Sequence, residues 1–341
     1  MADRATQGIS AIPSLRAQAP TDHPWLDPQR FAQRRHLLSI DRHHRPQLAA
    51  PDTAAWQFQS LASHWAALLH TADGPLSALD LLICPSLGDV LRAGLTLLLH
   101  PGAVVLLAEP VAPEVLRAIV QAEAQWIDVG RTAAGDIDEL ALQRAALAHP
   151  GAIFYAELPQ LLGRLDPPAE ALPDLRASVL DLRHQGWPSQ LPKATAVLLA
   201  LRDADHPQLP VLYAVATQPG LGQGLALLLG DPQLPQPLAE RARAVLLSWR
   251  EFPRWVAAAQ QTIAQRAQQL SSAAEGWPGL VDGGQRGLRW AAQCQSGDAS
   301  QLLQNRLGLH LGFAAYPAHP MQNLLIADLT AADFGPAEAP R

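Results

Sequence analysis

Lys193 is the only lysine in a chain of 341 residues, and a lysine amine is one of the few side chains that form Schiff bases with carbonyl groups. Burial lowers the pKa of such an amine and frees it for this chemistry. Of the 25 lysines and arginines, all but Lys193 are arginine, in a chain crowded with Ala, Leu, Pro and Gln. This bias is typical of a GC-rich bacterial genome. Lys193 is therefore either a retained catalytic residue or a compositional remnant.

Ser86 is a second candidate nucleophile, in the segment "CPSLGD" at residues 84–89. Small residues two positions before and after a serine, on a turn from strand to helix, are typical of a nucleophile elbow of the G-x-S-x-G type. Such a serine needs an acid and then a histidine later in the chain. Asp282 with His310 or His319 meets this order. A serine hydrolase using Ser86 is therefore one alternative function.

Composition limits the classes of partner. The net charge of −6 disfavours nucleic acid, which requires a basic surface. The Arg- and His-rich segment at residues 34–46 indicates a solvated arm or a contact surface, and we expect no metal site there or elsewhere. Two cysteines form no framework, the first residues lack an apolar run of signal-peptide length, and no run is long enough to cross a bilayer. We expect a cytoplasmic protein without a membrane partner.

The elements that must position these residues alternate between strand and helix. Short apolar strands are predicted at "ALDLLIC", "AVVLLAEP", "QWIDVG", "GAIFYAEL", "ASVLDLR", "ATAVLLAL" and "PVLYAVAT". Helical segments separate the first four, and we expect Asp136 to cap the helix that begins near residue 137. Continuously apolar strands alternating with helices predict an α/β fold, with a mostly parallel sheet covered by helices on both faces.

The chain divides into three predicted regions. Residues 1–50 lack periodicity and indicate an N-terminal arm. Residues 51–240 form the large α/β domain. Residues 241–335 comprise a linking helix, within one long helical run, and a smaller C-terminal α+β domain.

The order of elements resembles a known family. The segment "DLLICPSLGDVLRAGLTLLLHPGAVVLLAEPVAP" resembles, without a gap, the corresponding part of fold-type-I pyridoxal-phosphate aminotransferases (class I/II). The resemblance implies that Ser86, Leu87 and Gly88 lie at a helix N-terminus that holds the cofactor phosphate, as the physics of such a terminus allows. An ordinary helix cap accounts for the same residues.

The resemblance continues through "ASVLDLRHQGW" and "PVLYAVAT". It implies that Asp181 is the partner of the pyridine nitrogen, with His184 where the family usually has a tyrosine near the ring hydroxyl. The asparagine of the family's Asn-Pro loop is missing from "LPQLLGR". Counting back from Tyr213 places the Schiff-base position at Arg202, and a guanidinium is protonated and not nucleophilic.

Lys193 precedes a strand, whereas ligands of doubly wound sheets bind at the carboxyl ends of strands. We therefore expect no catalytic residue and no covalently bound cofactor, although pyridoxal phosphate remains possible by resemblance. The main hypothesis is a degenerate aminotransferase-like pseudoenzyme that binds a small anionic ligand or a protein partner and forms a homodimer. Non-covalent pyridoxal phosphate with altered chemistry in amino-acid metabolism is the second alternative, so enzymatic activity stays an open question.

Overall fold

The structure is a computed structural model of the chain. It describes residues 58–275 apart from 97, 109–110, 112, 131–136, 158–174, 208 and 230–233, and it also describes residues 280–294, 312–314 and 323–330. The predicted N-terminal arm at residues 1–50 lies outside the described residues, as do His310 and His319.

A seven-stranded sheet forms the centre of the described chain, in the order β3-β9-β8-β7-β6-β4-β5. Strand β9 runs antiparallel to both of its neighbours, and the other adjacent pairs are parallel. The strands are β3 (Leu81–Cys84), β4 (Val104–Leu107), β5 (Gln125–Asp128), β6 (Ile153–Glu157), β7 (Ala177–Asp181), β8 (Ala196–Arg202) and β9 (Pro210–Thr217). The short strands β1 (His70–Thr71) and β2 (Gly74–Pro75) form a separate hairpin.

The central strands are apolar because both faces of the sheet are covered. Every residue of β6, β7 and β8 is buried. Helices α1 (Phe58–Ala66), α4 (Glu139–Ala148) and α6 (Gln236–Glu251) pack on one face. Helices α2 (Leu87–Thr96), α3 (Pro113–Gln121) and α5 (Leu221–Leu229) pack on the other. The predicted α/β fold, mostly parallel and covered on both faces, is confirmed.

Two details of the helices differ from the predictions. Asp138 caps α4, because its carboxylate accepts hydrogen bonds from the amides of Leu140 and Ala141, and the predicted cap Asp136 lies outside the described residues. The long helical run after residue 235 is two helices, since α6 ends at Glu251 and α7 (Pro253–Ala274) begins at Pro253. A proline lacks the amide hydrogen that a continuous helix would need at that position.

A second, four-stranded antiparallel sheet lies against α7. Its order is β10-β11-β13-β12, with β10 (Leu280–Arg286), β11 (Arg289–Cys294), β12 (Gly312–Ala314) and β13 (Asn323–Asp328). Helix α7 and this sheet share one apolar core with Trp187 and Ala204, which belong to loops of the large sheet. A smaller C-terminal α+β unit is thus present, while the domain boundaries at residues 50, 240 and 335 stay predictions.

Helix α5 packs unusually close to the short 3-10 turn at Ala78–Asp80, which precedes β3. A Cβ atom added at Gly222 would lie 2.3 Å from the carbonyl oxygen of Leu79, whereas nothing lies within 4 Å of the corresponding point at Gly224. The backbone carbonyl cannot move aside as a flexible side chain can. Gly222 is therefore required by packing, and Gly224 is not.

We expect Gly222→Ala to reduce the free energy of unfolding by about 1–3 kcal/mol, because the new methyl group overpacks this contact. Gly224→Ala, in the same helix, is the matched control and should raise stability by roughly 0.5–1 kcal/mol through helix propensity. Urea denaturation of both variants measures the difference. Equal effects of the two substitutions would contradict the packing argument.

Candidate active site

The carboxyl ends of β7 and β8 bring two of the predicted site residues to one edge of the sheet. Asp181 ends β7 and Arg202 ends β8, and Asp181 is paired in register with Leu198 of that strand. Side chains alternate between faces along a strand, so Arg202, four residues after Leu198, points to the same face as Leu198. Both side chains are almost fully buried. This is the edge at which ligands bind in open α/β sheets.

The carboxylate of Asp181 is already occupied by groups of the chain itself. One oxygen accepts the backbone amide of Arg183 at 3.0 Å, and both oxygens lie 2.9 Å from the Nε atom of the same arginine. The other oxygen also accepts from Arg183 Nη2 and, at 2.6 Å, from the hydroxyl of Tyr155. A carboxylate has about four acceptor positions, and these donors fill them.

The Asp181–Arg183 pair keeps both groups charged inside the protein. Burial raises the pKa of Asp181, but the Arg183 charge and its hydrogen bonds outweigh burial and hold the pKa below its ordinary value. Burial lowers the pKa of Arg183, and the Asp181 charge reverses that effect so that the pKa is raised. Burial together with the Asp181 charge raises the pKa of the Tyr155 hydroxyl well above its usual range. This hydroxyl is therefore a neutral hydrogen-bond donor.

Arg202, at the predicted Schiff-base position, connects two loops of the backbone. Its Nε and Nη2 atoms donate to the carbonyl oxygen of Arg183 at 3.1 and 2.7 Å, and its Nη1 atom donates to the carbonyl oxygen of Pro207. Its own carbonyl oxygen accepts a hydrogen bond from the Trp187 indole at 2.9 Å. The guanidinium thus uses three nitrogens to bridge two carbonyl oxygens, whereas an amine has a single nitrogen.

His184 is half-buried beside several cations. Burial, followed by the charges of Arg289, Arg202 and Arg183, lowers its pKa well below the ordinary value. Its carbonyl oxygen accepts the amide of Leu288, from the turn between β10 and β11. His184 is therefore a neutral, packed residue whose backbone contacts the C-terminal unit.

The Ser86 turn is the third part of the predicted site. The Ser86 hydroxyl accepts the backbone amide of Asp89 at 3.1 Å and donates to the Asp89 carboxylate at 2.6 Å. This is a capping arrangement at the start of α2, and it places a carboxylate in the first helical turn. Gly88 is exposed, and Leu87 packs partly against the core beside α2. A negative charge at this helix terminus disfavours a further anion.

Ser86, Cys84 and Lys193 are the other candidate nucleophiles of the chain. Ser86 hydrogen-bonds with Asp89. Asp282, the predicted acid of a hydrolase, lies in β10 of the second sheet, while the predicted histidines His310 and His319 lie outside the described residues. Burial raises the pKa of the neighbouring Cys84 thiol to about 12, with the Asp89 charge adding to the effect. Lys193 is exposed and precedes β8, at the opposite end of that strand from Arg202. Within the part of the chain that the structure describes, no histidine hydrogen-bonds to any of these three groups.

Solved structures of similar fold include several aminotransferases. The chain is similar to histidinol-phosphate aminotransferase from Sinorhizobium meliloti in complex with pyridoxal-5'-phosphate, at 16% identity and a TM-score of 0.61 over 83% of each chain. It is also similar to an aminotransferase from Staphylococcus aureus, at 12% identity and a TM-score of 0.64, covering 96% of this chain and 94% of that one. N-Succinyldiaminopimelate aminotransferase from Mycobacterium tuberculosis matches at 15% identity and a TM-score of 0.59, over 83% and 82% of the chains.

These likenesses show that the protein has the fold of the fold-type-I, pyridoxal-phosphate-dependent aminotransferases. No family model and no curated protein matches the sequence. The similarity in sequence is too low to transfer an activity, so the chemistry must be argued from the residues of the site.

Those residues do not fit pyridoxal phosphate in the arrangement that the resemblance implies. A pyridine nitrogen would need an acceptor position on Asp181, and Arg183 with Tyr155 fills them. A Schiff base would need an amine in place of the Arg202 guanidinium. We therefore derive no reaction step through this cofactor.

The sequence alone did not identify Arg183, Tyr155 or Arg289 as parts of the site. A signal for Arg183 was present, since residues two apart at a strand end point to the same side. Tyr155 is a diagonal neighbour of Asp181 across the β6–β7 pairing. Arg289, from β11, lies 3.9 Å from the Glu157 carboxylate at the end of β6, a contact that no local pattern predicts.

We expect Asp181→Asn to reduce the free energy of unfolding by about 3–5 kcal/mol, because it leaves Arg183 buried without its counter-charge. Arg183→Met should have a similar effect, and the double variant should lose clearly less than the sum. The exposed pair of Arg92 and Asp89, 3.4 Å apart, is the matched control, with an expected coupling below about 1 kcal/mol. Urea denaturation measures both cycles, and additive losses at the buried pair would contradict its assignment.

The same pair predicts how stability depends on pH. The pKa of Asp181 is lower in the folded protein than in the unfolded chain, where it is about 4. The contribution of the ionised Asp181 to the free energy of unfolding is therefore complete above about pH 4 and is lost as the pH falls through the folded-state pKa. Asp181→Asn should therefore make the free energy of unfolding less dependent on pH below about pH 4. An unchanged pH dependence, measured by urea denaturation, would contradict the role of Asp181.

Proposed function

We propose that this protein is a non-transaminating member of the aminotransferase fold, a pseudoenzyme that acts by binding a small molecule or another protein. The observation that carries the proposal is the state of Arg202. Its guanidinium stands at the Schiff-base position and donates to the carbonyl oxygens of Arg183 and Pro207. A group that is permanently protonated and bound in this way neither attacks a carbonyl carbon nor carries a proton between substrate atoms.

The rest of the edge supports the same conclusion. Asp181 is neutralised by Arg183, and Asp203, the residue after Arg202, forms an ion pair with Arg241 of α6. Charges that would otherwise recognise a ligand are thus paired within the chain. Because its two cysteines form no framework and Cys84 is a buried free thiol, a cytoplasmic location belongs to the proposal. None of the helices in the described ranges is long and apolar enough to cross a bilayer.

We also propose that two copies of the chain associate through α5. This nine-residue helix contains no charged side chain, yet Leu221 and Leu227 are exposed, the latter by 86%. Leu79, on the adjoining 3-10 turn, is exposed by 63%. Exposed leucines on an uncharged helix mark an association surface. A second copy fits this surface because an uncharged patch adds no charge repulsion at the contact between two chains that each carry a net charge of −6.

The absence of a Schiff base can be tested with unusual clarity in this chain. Lys193 and the N-terminal amine are the only amines with which pyridoxal phosphate can react. After incubation, borohydride reduction and peptide mass spectrometry, we expect no stoichiometric adduct, and any trace of labelling at Lys193 should disappear in Lys193→Arg. Stoichiometric modification of Lys193 would overturn the proposal. Binding that dialysis removes would instead support the non-covalent alternative.

The association surface has its own test. Light scattering after size-exclusion chromatography should give twice the mass of a single chain for the unmodified protein. Leu227→Glu should yield monomers, because a dimer would have to bury two new carboxylates. Leu147→Glu, at a leucine exposed by 72% on α4, is the matched control and should leave the mass unchanged. A monomeric unmodified protein would exclude this surface as a stable dimer interface.

A further inference from the structure

The turn between β10 and β11 lies against the carboxyl ends of β6 and β7. The amide of Leu288 donates to the carbonyl oxygen of His184 at 2.8 Å, and Arg289 lies 3.9 Å from the carboxylate of Glu157. Gly287 has a φ of 63°, and a Cβ atom there would lie 2.2 Å from the same His184 oxygen. The turn therefore approaches the large sheet closely at a point where only glycine fits.

Apolar contacts reinforce this approach. The side chain of Trp187 belongs to the core that α7 shares with Leu288 and Trp290. Its indole also donates to the carbonyl oxygen of Arg202. A Cβ atom at Gly186 would lie 3.2 Å from Leu288, so the loop after β7 and the hairpin are in van der Waals contact. The C-terminal unit is thus anchored on the loops that follow β7 and β8.

Arg202 connects these loops to each other. Its guanidinium reaches the carbonyl oxygen of Arg183, one residue before His184, and that of Pro207 in the loop after β8. One planar group whose donors lie on three nitrogens can hold two carbonyl oxygens in fixed positions, whereas a lysine ammonium carries its donors on one freely rotating nitrogen. The position of the backbone at His184 and Trp187, and hence of the hairpin, depends on this bridge.

We propose that the ligand edge of the fold has become an internal clasp, in which the β10–β11 hairpin is the occupant and Arg202 is the bridge that holds its docking surface. The clasp consists of Arg202, the loop residues His184 and Trp187, and the hairpin residues Gly287 and Leu288. A ligand can reach this edge only after the hairpin has separated from His184. The inference concerns how the two sheets are held together, and it goes beyond the proposed absence of transamination.

The test is hydrogen–deuterium exchange, followed by mass spectrometry, on the full chain without added cofactor. Arg202→Lys, which supplies an amine at this position, should accelerate exchange in β10, β11 and the loop after β7 by about tenfold or more, since two loop contacts are lost. Exchange in β4 should stay unchanged. Arg92→Lys, at an exposed arginine of α2, is the control for the chemical change.

A glycine pair tests the clasp from the hairpin side and keeps Arg202 intact. Gly284 and Gly287 both have positive φ angles, of 72° and 63°, so alanine causes similar backbone strain at each. Only at Gly287 would the new Cβ atom meet His184, because nothing lies within 4 Å at Gly284. Gly287→Ala should therefore accelerate exchange in the loop after β7 at least about threefold more than Gly284→Ala.

The outcomes of the two exchange experiments either support or overturn the proposed clasp. Faster exchange confined to the hairpin and its docking loop supports it, both for Arg202→Lys and for the glycine pair. Unchanged exchange in Arg202→Lys, or an equal acceleration in β4, overturns it. If Arg202→Lys does not fold, the glycine pair decides alone, and equal exchange in its two variants overturns the clasp. These readouts do not involve pyridoxal phosphate, so failure of the clasp leaves the test of the proposed function independent.

Discussion

The buried ion pair between Asp181 and Arg183 is the interaction on which the site depends. A carboxylate with no exposed surface is tolerated in the protein interior only when its charge is balanced and its oxygens are hydrogen-bonded. Arg183 provides both, with help from the Tyr155 hydroxyl. Once Arg183 is held in this way, its carbonyl oxygen is in position to accept hydrogen bonds from the guanidinium of Arg202. The position of the backbone at this edge therefore depends on the ion pair between Asp181 and Arg183.

The fold of the sheet and the chemistry of its edge have separate physical requirements. The sheet requires only that its strands be apolar and its helices amphipathic, conditions that the two cores on either face satisfy. The edge of the sheet has a separate requirement, because any charge buried there must find a partner. In this chain the partners come from within, as Arg183 balances Asp181 and Arg241 balances Asp203. The fold and the site are thus under different physical constraints.

The sequence predicted the fold well because its signals are local and repeated. Seven short apolar segments became the seven strands of the central sheet, and the carboxyl end of β8 fell at Arg202 as the alignment of patterns implied. The prediction failed where two signals competed. Two acidic residues near the start of α4 were available as caps, and the hydrogen bonds of the Asp138 carboxylate show that this residue is a cap. A proline within a helical run left open whether the run bends or breaks, and at Pro253 it breaks.

By itself the sequence determined the class of fold, the lack of any lysine at the end of β8, and the placement of Asp181 at a strand end. The first follows from periodicity, which is a pattern among neighbours along the chain, and the others follow from residue identity at a strand end. Only the tertiary structure decided that Tyr155 donates to Asp181, that Arg202 bridges the carbonyl oxygens of Arg183 and Pro207, and that the β10–β11 turn contacts His184. The physical reason is that the partner of a buried polar group is chosen by distance in space, and three-dimensional neighbours such as His184 and Leu288 are separated by a hundred residues of sequence.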